Sequence, residues 1–209
     1  MRAIPETNPR RRPRQARAQA TVEAIIKATA QVLVEEGYDR ASTNRIALAA
    51  GVSIGSLYQY FPSKEALVAA LVEEHLQKMS DALSAVLTDA KPEGLPETTR
   101  VVVKGLIAAY RVDARLHQVL CQEVPKVGEL RKVYHFEDQL ARSAREYLDM
   151  LRESIRHEDL DRAVFLLAHA VPSVIRAAVS TDPEGASDES LCAELTDLIL
   201  RYLMINPPT

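Results

Sequence analysis

Residues 43–62 read TNRIALAAGVSIGSLYQYFP. Ile46, Ala50, Val52, Leu57 and Tyr60 are apolar or aromatic at the spacing of two short helices packed across a tight turn. Ala47 is small where the two helices approach closest. Gly51 follows four residues on, at the corner, where a positive φ is needed and glycine adopts it most cheaply. Ser42 or Thr43 can cap the first of these helices, and Ser53 the second, which runs through Tyr60. The pattern is a helix-turn-helix. Its second helix is too short to stand alone, so its outer face is presented to something else, and for this motif that is the DNA major groove.

The odd chemistry of 53–67, SIGSLYQYFPSKEAL, fits that use. Gly55 costs about 1 kcal/mol against alanine in a helix, but lets a base edge or phosphate come close to the backbone. Ser56 and Gln59 point outward, and a glutamine suits adenine N6/N7. Tyr58 and Tyr60 can set hydroxyls on phosphates, or their rings can pack beneath the motif with only the hydroxyl reaching out. Lys64 adds a cation at the start of the next helix, where the N-terminus is itself an anion site.

Charge is distributed to match. Residues 1–67 hold 10 Lys+Arg against 6 Asp+Glu, net +4, and residues 68–209 hold 16 against 23, net −7. A basic front suggests a polyanionic partner. Residues 1–16 read as a disordered basic arm, either a solubilising tail or an arginine arm for the minor groove. Two cysteines are too few for a disulfide framework. No apolar run approaches the roughly 20 residues that span a bilayer, and no apolar region follows the basic N-terminus as in a secretory signal. The expected setting is the cytoplasm, away from any membrane.

The rest of the chain is helical by composition and period. Residues 17–36 place Val22, Ile25, Ile26, Ala30, Leu33 and Val34 on one helical side, ended by Gly37. A long helix is expected from Lys64 to about Ala90, then helices at about 97–111, 113–122, 129–156, 160–180 and 188–204. The fold class is all-α. The domains are the arm (1–16), a three-helix DNA-binding domain (17–62) and a larger helical domain (63–209).

RIALAAGVSIGSLYQYFPSKEAL resembles the signature of TetR/AcrR-family transcriptional regulators. In words, that signature is an IA pair, an AGVS corner, G-x-LY, an aromatic-Phe pair, then KE-x-L. The likeness is close over 20–67. It implies a cytoplasmic homodimer of nine or so helices on double-stranded DNA with a near-palindromic operator, the C-terminal helices serving dimerisation and a small-molecule effector. It requires no cofactor. Thr43, Tyr58, Tyr60 and Lys64 match the family's phosphate-contacting positions. Asn44, Ile54, Gly55, Ser56 and Gln59 match positions facing the groove. Tyr60 stands where the family often has histidine.

An effector cavity is expected among His75, Met79, Leu83, Leu106, Tyr110, His117, Cys121, Phe136 and Leu140. Val103, Leu120 and Leu166 are further apolar candidates, and Arg111, Arg115 or Arg176 could meet an acidic group. This points to an apolar or amphipathic effector. His117 and Cys121, four apart on one helix face, have the spacing of a metal or nucleophile pair. No third ligand or orienting Asp is apparent nearby, and the helix-turn-helix disfavours an enzyme, so the reading is no metal, no catalytic residue and no enzyme. The dimer is expected on the last two helices, with Ala178, Leu191, Leu195, Leu198, Tyr202 and Leu203 in the contact and Cys192 at the interface. Two functional readings remain: a repressor released by a small molecule, or a DNA-binding regulator without one, constitutive or answering to a protein.

Overall fold

A computed structural model describes residues 11–90, 92–123, 130–182 and 184–207, with side chains over 17–88, 90, 92–121, 138–182 and 184–207. Its elements are α1 (Arg11–Arg40), α2 (Thr43–Ala49), α3 (Ile54–Tyr60), α4 (Lys64–Asp89), α5 (Gly94–Arg111), α6 (Ala114–Glu123), α7 (Leu130–Met150), a 3₁₀ turn (Arg152–Ser154), α8 (Leu160–Thr181) and α9 (Asp188–Leu203). The fold is all-helical. The chain divides into two compact units, Met1–Leu71 and Val72–Thr209.

In the first unit, α1 already runs at Arg11, so part of the expected arm is helical backbone; Pro13 falls in the first turn, where its missing N–H has no partner to lose. The long α1 is broken at Gly37, φ 75° and ψ 166°, where the sequence ended it. Thr29 sits fully buried because its hydroxyl donates to Ile25 O at 2.8 Å. Ser42 caps α2, its hydroxyl accepting from Arg45 N. Ile25, Leu33, Ile46, Ala47 and Leu57 form the apolar centre of this unit. The first turns of α4 belong to it too, with Leu67 and Val68 wholly buried. The first compact unit therefore extends past the start of α4, to Leu71.

In the second unit, α5 packs on α9 and α8, and α8 also meets α6, α7 and α9. Gly105 allows α5 to lie against α4: a Cβ there would come within 2.6 Å of Leu83 Cδ1. Arg111 joins the end of α5 to the start of α9 by a two-pronged bond to Asp188, Nε to Oδ2 at 2.6 Å and Nη2 to Oδ1 at 2.5 Å, and donates to Asp182 O at 2.6 Å. Such forked, charge-assisted pairs are the strong kind.

Two expectations are corrected here. The helix expected to reach 156 ends at Met150, because the following chain is taken up by the C-terminal tail: Ile155 pairs with Met204 in an isolated bridge, Arg156 N donates to Leu203 O and Ile205 N to Ser154 O. Cys192 is no interface residue; it is buried in the core of the unit, and burial raises its thiol pKa.

Candidate nucleic-acid interface and ligand cavity

The short α3 is held from behind and at both ends. Leu57 is fully buried. Ser53 Oγ accepts from Ser56 N at 3.0 Å, and Phe61 N closes the last turn onto Leu57 O at 2.9 Å. The corner before it has Gly51 at φ 66°. What remains outside is Ile54, Gly55, Tyr58, Gln59 and Tyr60. A Cβ on Gly55 would meet only Ser53 Oγ, at 3.9 Å, so nothing within the chain demands glycine there.

The sequence-derived contact residues divide by position. Asn44 is exposed at the start of α2. Thr43 Oγ1 and Tyr58 OH lie 3.1 Å apart, joining α2 to α3 as one hydroxyl pair. Tyr58 is 50% and Tyr60 39% exposed, so neither ring packs beneath the motif. That position is filled by Tyr38 and Phe61. Ser56 is half-buried, its hydroxyl 2.8 Å from that of the exposed Ser53.

Lys64 is tied down. Its Nζ donates to Tyr38 O at 2.8 Å and to Ala41 O at 3.0 Å, and stands 3.9 Å from the centre of the Tyr38 ring. Two of its three N–H donors thus close the end of α1. Beside it, the Glu65 carboxyl is held below the usual range by its own backbone N–H and by Ser63, with Tyr38 adding a smaller share. Arg45 of α2 is paired with Glu36, whose carboxyl it lowers.

Two cavities stand out among the described residues of the second unit. The first, about 280 Å³, lies among α4, α5, α7, α8 and α9 and is walled by Leu106, Tyr110, Leu140, Tyr147 and Pro172, among others. Its lining contains no charged side chain among the described residues. Its polar edge is Thr98 and Tyr147. The Thr98 hydroxyl donates to Gly94 O at 2.8 Å, so across the 3.0 Å contact Tyr147 OH donates to Thr98. Pro172 has no N–H for the carbonyl of Ala168, and both residues face this cavity.

The second cavity, about 230 Å³, is the more polar of the two. It is lined by Tyr110, His117, Gln118, Cys121, Arg176 and Ser180, with small residues between. His117 Nδ1 is 3.2 Å from His75 Nε2, and His117 Nε2 is 3.4 Å from Cys121 Sγ. Burial is the main cause of a lowered pKa at both histidines, taking His117 to about 3, so both rings are neutral near pH 7. His75 and Cys121 occupy opposite ring nitrogens of His117, so the three donor atoms do not converge on one point as metal ligands must.

Of the expected cavity residues, Leu106 and Leu140 line the first cavity, His117 and Cys121 the second, and Tyr110 both. Three others lie outside both linings. His75 backs His117 without lining either cavity, and Met79 and Leu83 are core residues; on α4 it is Leu87, one turn further, that faces the space. Phe136 lies outside the residues whose side chains are described. Leu166 is half exposed and faces away, whereas Val103 does line the first cavity. Tyr147, Thr98 and Pro172 were missed. Among the three arginines, Arg111 is bound to Asp188, Arg115 is exposed, and Arg176 lines the second cavity.

The last two helices expose apolar side chains, but not the expected set. Leu195 and Leu203 belong to the core, and Leu191, Tyr202 and Ala178 are half-buried. The outward apolar residues are Phe165, Leu166 and Val174 of α8 and Leu198 of α9. Among the described residues α8 alone is long and apolar enough to cross a membrane by length and composition. Its composition follows from having two apolar faces, one of them turned into the core through Val171, Ile175 and Val179.

Comparison with known proteins gives two family matches. Residues 25–71 match the pattern of bacterial regulatory proteins of the tetR family, and residues 94–203 that of a tetracyclin repressor-like C-terminal domain. The nucleoid occlusion factor SlmA of Actinobacillus pleuropneumoniae is 33% identical over 86 residues, 41% of this chain and 42% of that protein. The chain thus spans less than half the length of the relatives of this kind that it matches. A TetR-like regulator from a Rhodococcus species superposes with a TM-score of 0.70 at 20% identity, covering 87% of this chain and 94% of that one. The fatty acid degradation regulator FadR from Bacillus halodurans does so with 0.64 at 25% identity, over 86% and 94%.

Proposed function

The chain belongs to the tetR family of bacterial regulatory proteins and is a DNA-binding transcriptional regulator, not an enzyme; from that premise we propose that it is a cytoplasmic homodimeric repressor released from its operator by a small apolar or amphipathic molecule. The observation that carries the DNA side is α3: Leu57 is its fully buried residue, while Gly55, Tyr58 and Gln59 are exposed on its outer side, Tyr58 with its hydroxyl 3.1 Å from that of Thr43.

The division of labour follows from contact chemistry. Thr43, Tyr58, Tyr60 and the remaining donor of Lys64 take phosphates, which set register. Asn44, Ile54 and Gln59 face base edges, and Gly55 lets the backbone close on them. Ser56 contributes by holding the cap. Phe165, Leu166, Val174 and Leu198 form the face on which two copies meet, an isologous contact. Two α3 helices would then reach successive major grooves about 34–36 Å apart.

The effector side rests on the first cavity, apolar and near the lower end of the roughly 300–1,000 Å³ that small-molecule sites occupy. The likeness to a fatty acid degradation regulator supports an apolar occupant. Coupling runs through α4, whose 26 residues span roughly 39 Å. Its first turn is fastened to Tyr38 and its far end supplies Leu87 to the cavity wall. A ligand that favours the DNA-incompetent arrangement lowers operator affinity, and operator must lower ligand affinity by the same factor.

The test is operator affinity by fluorescence anisotropy for wild type and Gln59→Ala. Gln59→Ala should flatten preference at one base position by about 1–3 kcal/mol. Unchanged base preference would remove Gln59 from the recognition set. A regulator without a small effector would bind operator alike in the presence of every apolar compound that its cavity admits.

A further inference from the structure

Among the described residues, the hydroxyl side chains lining the first cavity are Thr98, Thr99, Tyr110, Ser143 and Tyr147. Ser143 is exposed and Tyr110 also faces the second cavity, which leaves Thr98, Thr99 and Tyr147 as the polar edge. A hydroxyl has one proton to give and two lone pairs to accept with. The proton of Thr98 goes to Gly94 O and that of Thr99 to Leu95 O, each at 2.8 Å. The proton of Tyr147 goes to Thr98 Oγ1, across 3.0 Å. What this edge offers a guest is therefore lone pairs. Deepening the ligand-responsive reading above, on which this rests, we infer that the first cavity takes a neutral amphipath, a hydrocarbon alcohol, whose O–H donates to the Tyr147–Thr98 hydroxyl pair.

The rest of the wall is hydrocarbon, and no charged side chain among the described residues lines it. A carboxylate is mismatched on two counts. Its charge meets no cation in the lining, and an unpaired buried charge is strongly disfavoured. It is also an acceptor only, so its lone pairs would face those of Tyr147 and Thr98. An ether avoids the first mismatch and meets the second. It gains a bond only by drawing the Tyr147 proton away from Thr98, which exchanges one hydrogen bond for another. Pro172 strengthens the bias: it has no N–H for the Ala168 carbonyl, so that residue of the lining brings a further acceptor without its helical donor. An alcohol gives a proton to such an edge and brings no charge. The two hydroxyls that receive it come from α5 and α7, 49 residues apart in the chain, and meet only in the folded wall. Thr98 and Tyr147 are half-buried and Thr99 is buried.

The experiment titrates the full chain calorimetrically at pH 7 with decanol, with decanoate, and with nonyl methyl ether, an isomer of decanol that lacks the O–H. Wild type should bind decanol at least ~10-fold tighter than decanoate. Tyr147→Phe combined with Thr98→Val nearly keeps the shape of both side chains and removes both hydroxyls. That variant should bind decanol about 5-fold more weakly, the worth of one ordinary hydrogen bond. It should bind the ether as wild type does, which also shows the cavity to be intact. Decanoate bound by wild type as tightly as decanol, or a decanol affinity that the variant leaves unchanged, overturns the alcohol site and leaves the apolar-cavity reading standing. Equal weakening of decanol and the ether overturns it too, because the hydroxyls then act on the shape of the cavity alone. Binding of none of the three overturns both readings.

Discussion

Lys64→Met keeps the apolar stem of the side chain and deletes its ammonium. In the structure that group makes two charge-assisted hydrogen bonds, to Tyr38 O and Ala41 O, and stands over the Tyr38 ring. Hydrogen bonds to charged groups contribute about 1.5–3 kcal/mol when buried, and a cation over an aromatic ring about 0.5–1 kcal/mol at an exposed site. The lysine is half-buried, so water can replace part of what is lost, and a net destabilisation of about 2 kcal/mol is expected for the first unit. The remaining N–H donor is assigned to a phosphate, so the same variant should also lower the slope of log affinity against log salt by about 0.9. Guanidinium denaturation followed by circular dichroism reads the first effect, and anisotropy across a salt series reads the second. An unchanged denaturation midpoint would refute the clamp. A lowered midpoint with an unchanged salt slope would leave Lys64 a structural residue and remove it from the DNA contacts.

Gly51→Ala should destabilise the first unit by about 1–2 kcal/mol, because a Cβ there meets nothing within 4 Å and the whole effect is the left-handed backbone; a thermal melt checks it. His117 has a folded pKa of about 3 against an ordinary 6.5, so the unfolded chain binds the extra proton between those values. Stability contributed by the neutral ring is therefore complete above pH 6.5 and falls as the pH drops toward 3, by up to about 1.4 kcal/mol per pH unit. His117→Gln should lower that slope in denaturation curves taken from pH 7 to 4, and an unchanged slope would show that the ring is charged in the fold. Val174→Glu with Leu198→Glu should give monomers by sedimentation and abolish operator binding, since both residues are exposed and outside the core. A wild-type chain that sediments as a monomer at micromolar concentration would remove the dimer.

The first unit was legible almost residue by residue because its signals are local. Ser42, Gly51 and Ser53 are caps and a corner, each fixed by neighbours within four residues. What escaped notice there depended on contacts across the unit. The role of Tyr38 appears only when Lys64, 26 residues later, is seen above it. In the second unit, helical period gave the elements but not which face each turned inward. Leu195 and Leu203 read as an exposed stripe with Leu198, yet α9 lies on α5 and takes them into the core. Arg111 and Arg176 looked equivalent as cations until Asp188 claimed one and a cavity the other. The helix expected to reach 156 failed for the same reason, since its competitor is a tail almost 50 residues distant in sequence.

Selection of bound sequences from a random pool of double-stranded DNA by the purified full chain tests the central claim most directly. The account predicts enrichment of one near-palindromic site whose half-sites lie one helical turn apart, about 34–36 Å centre to centre, with Gln59→Ala losing preference at one position in each half. A pool that remains unenriched after repeated rounds, or that enriches a site without two related halves, would contradict it.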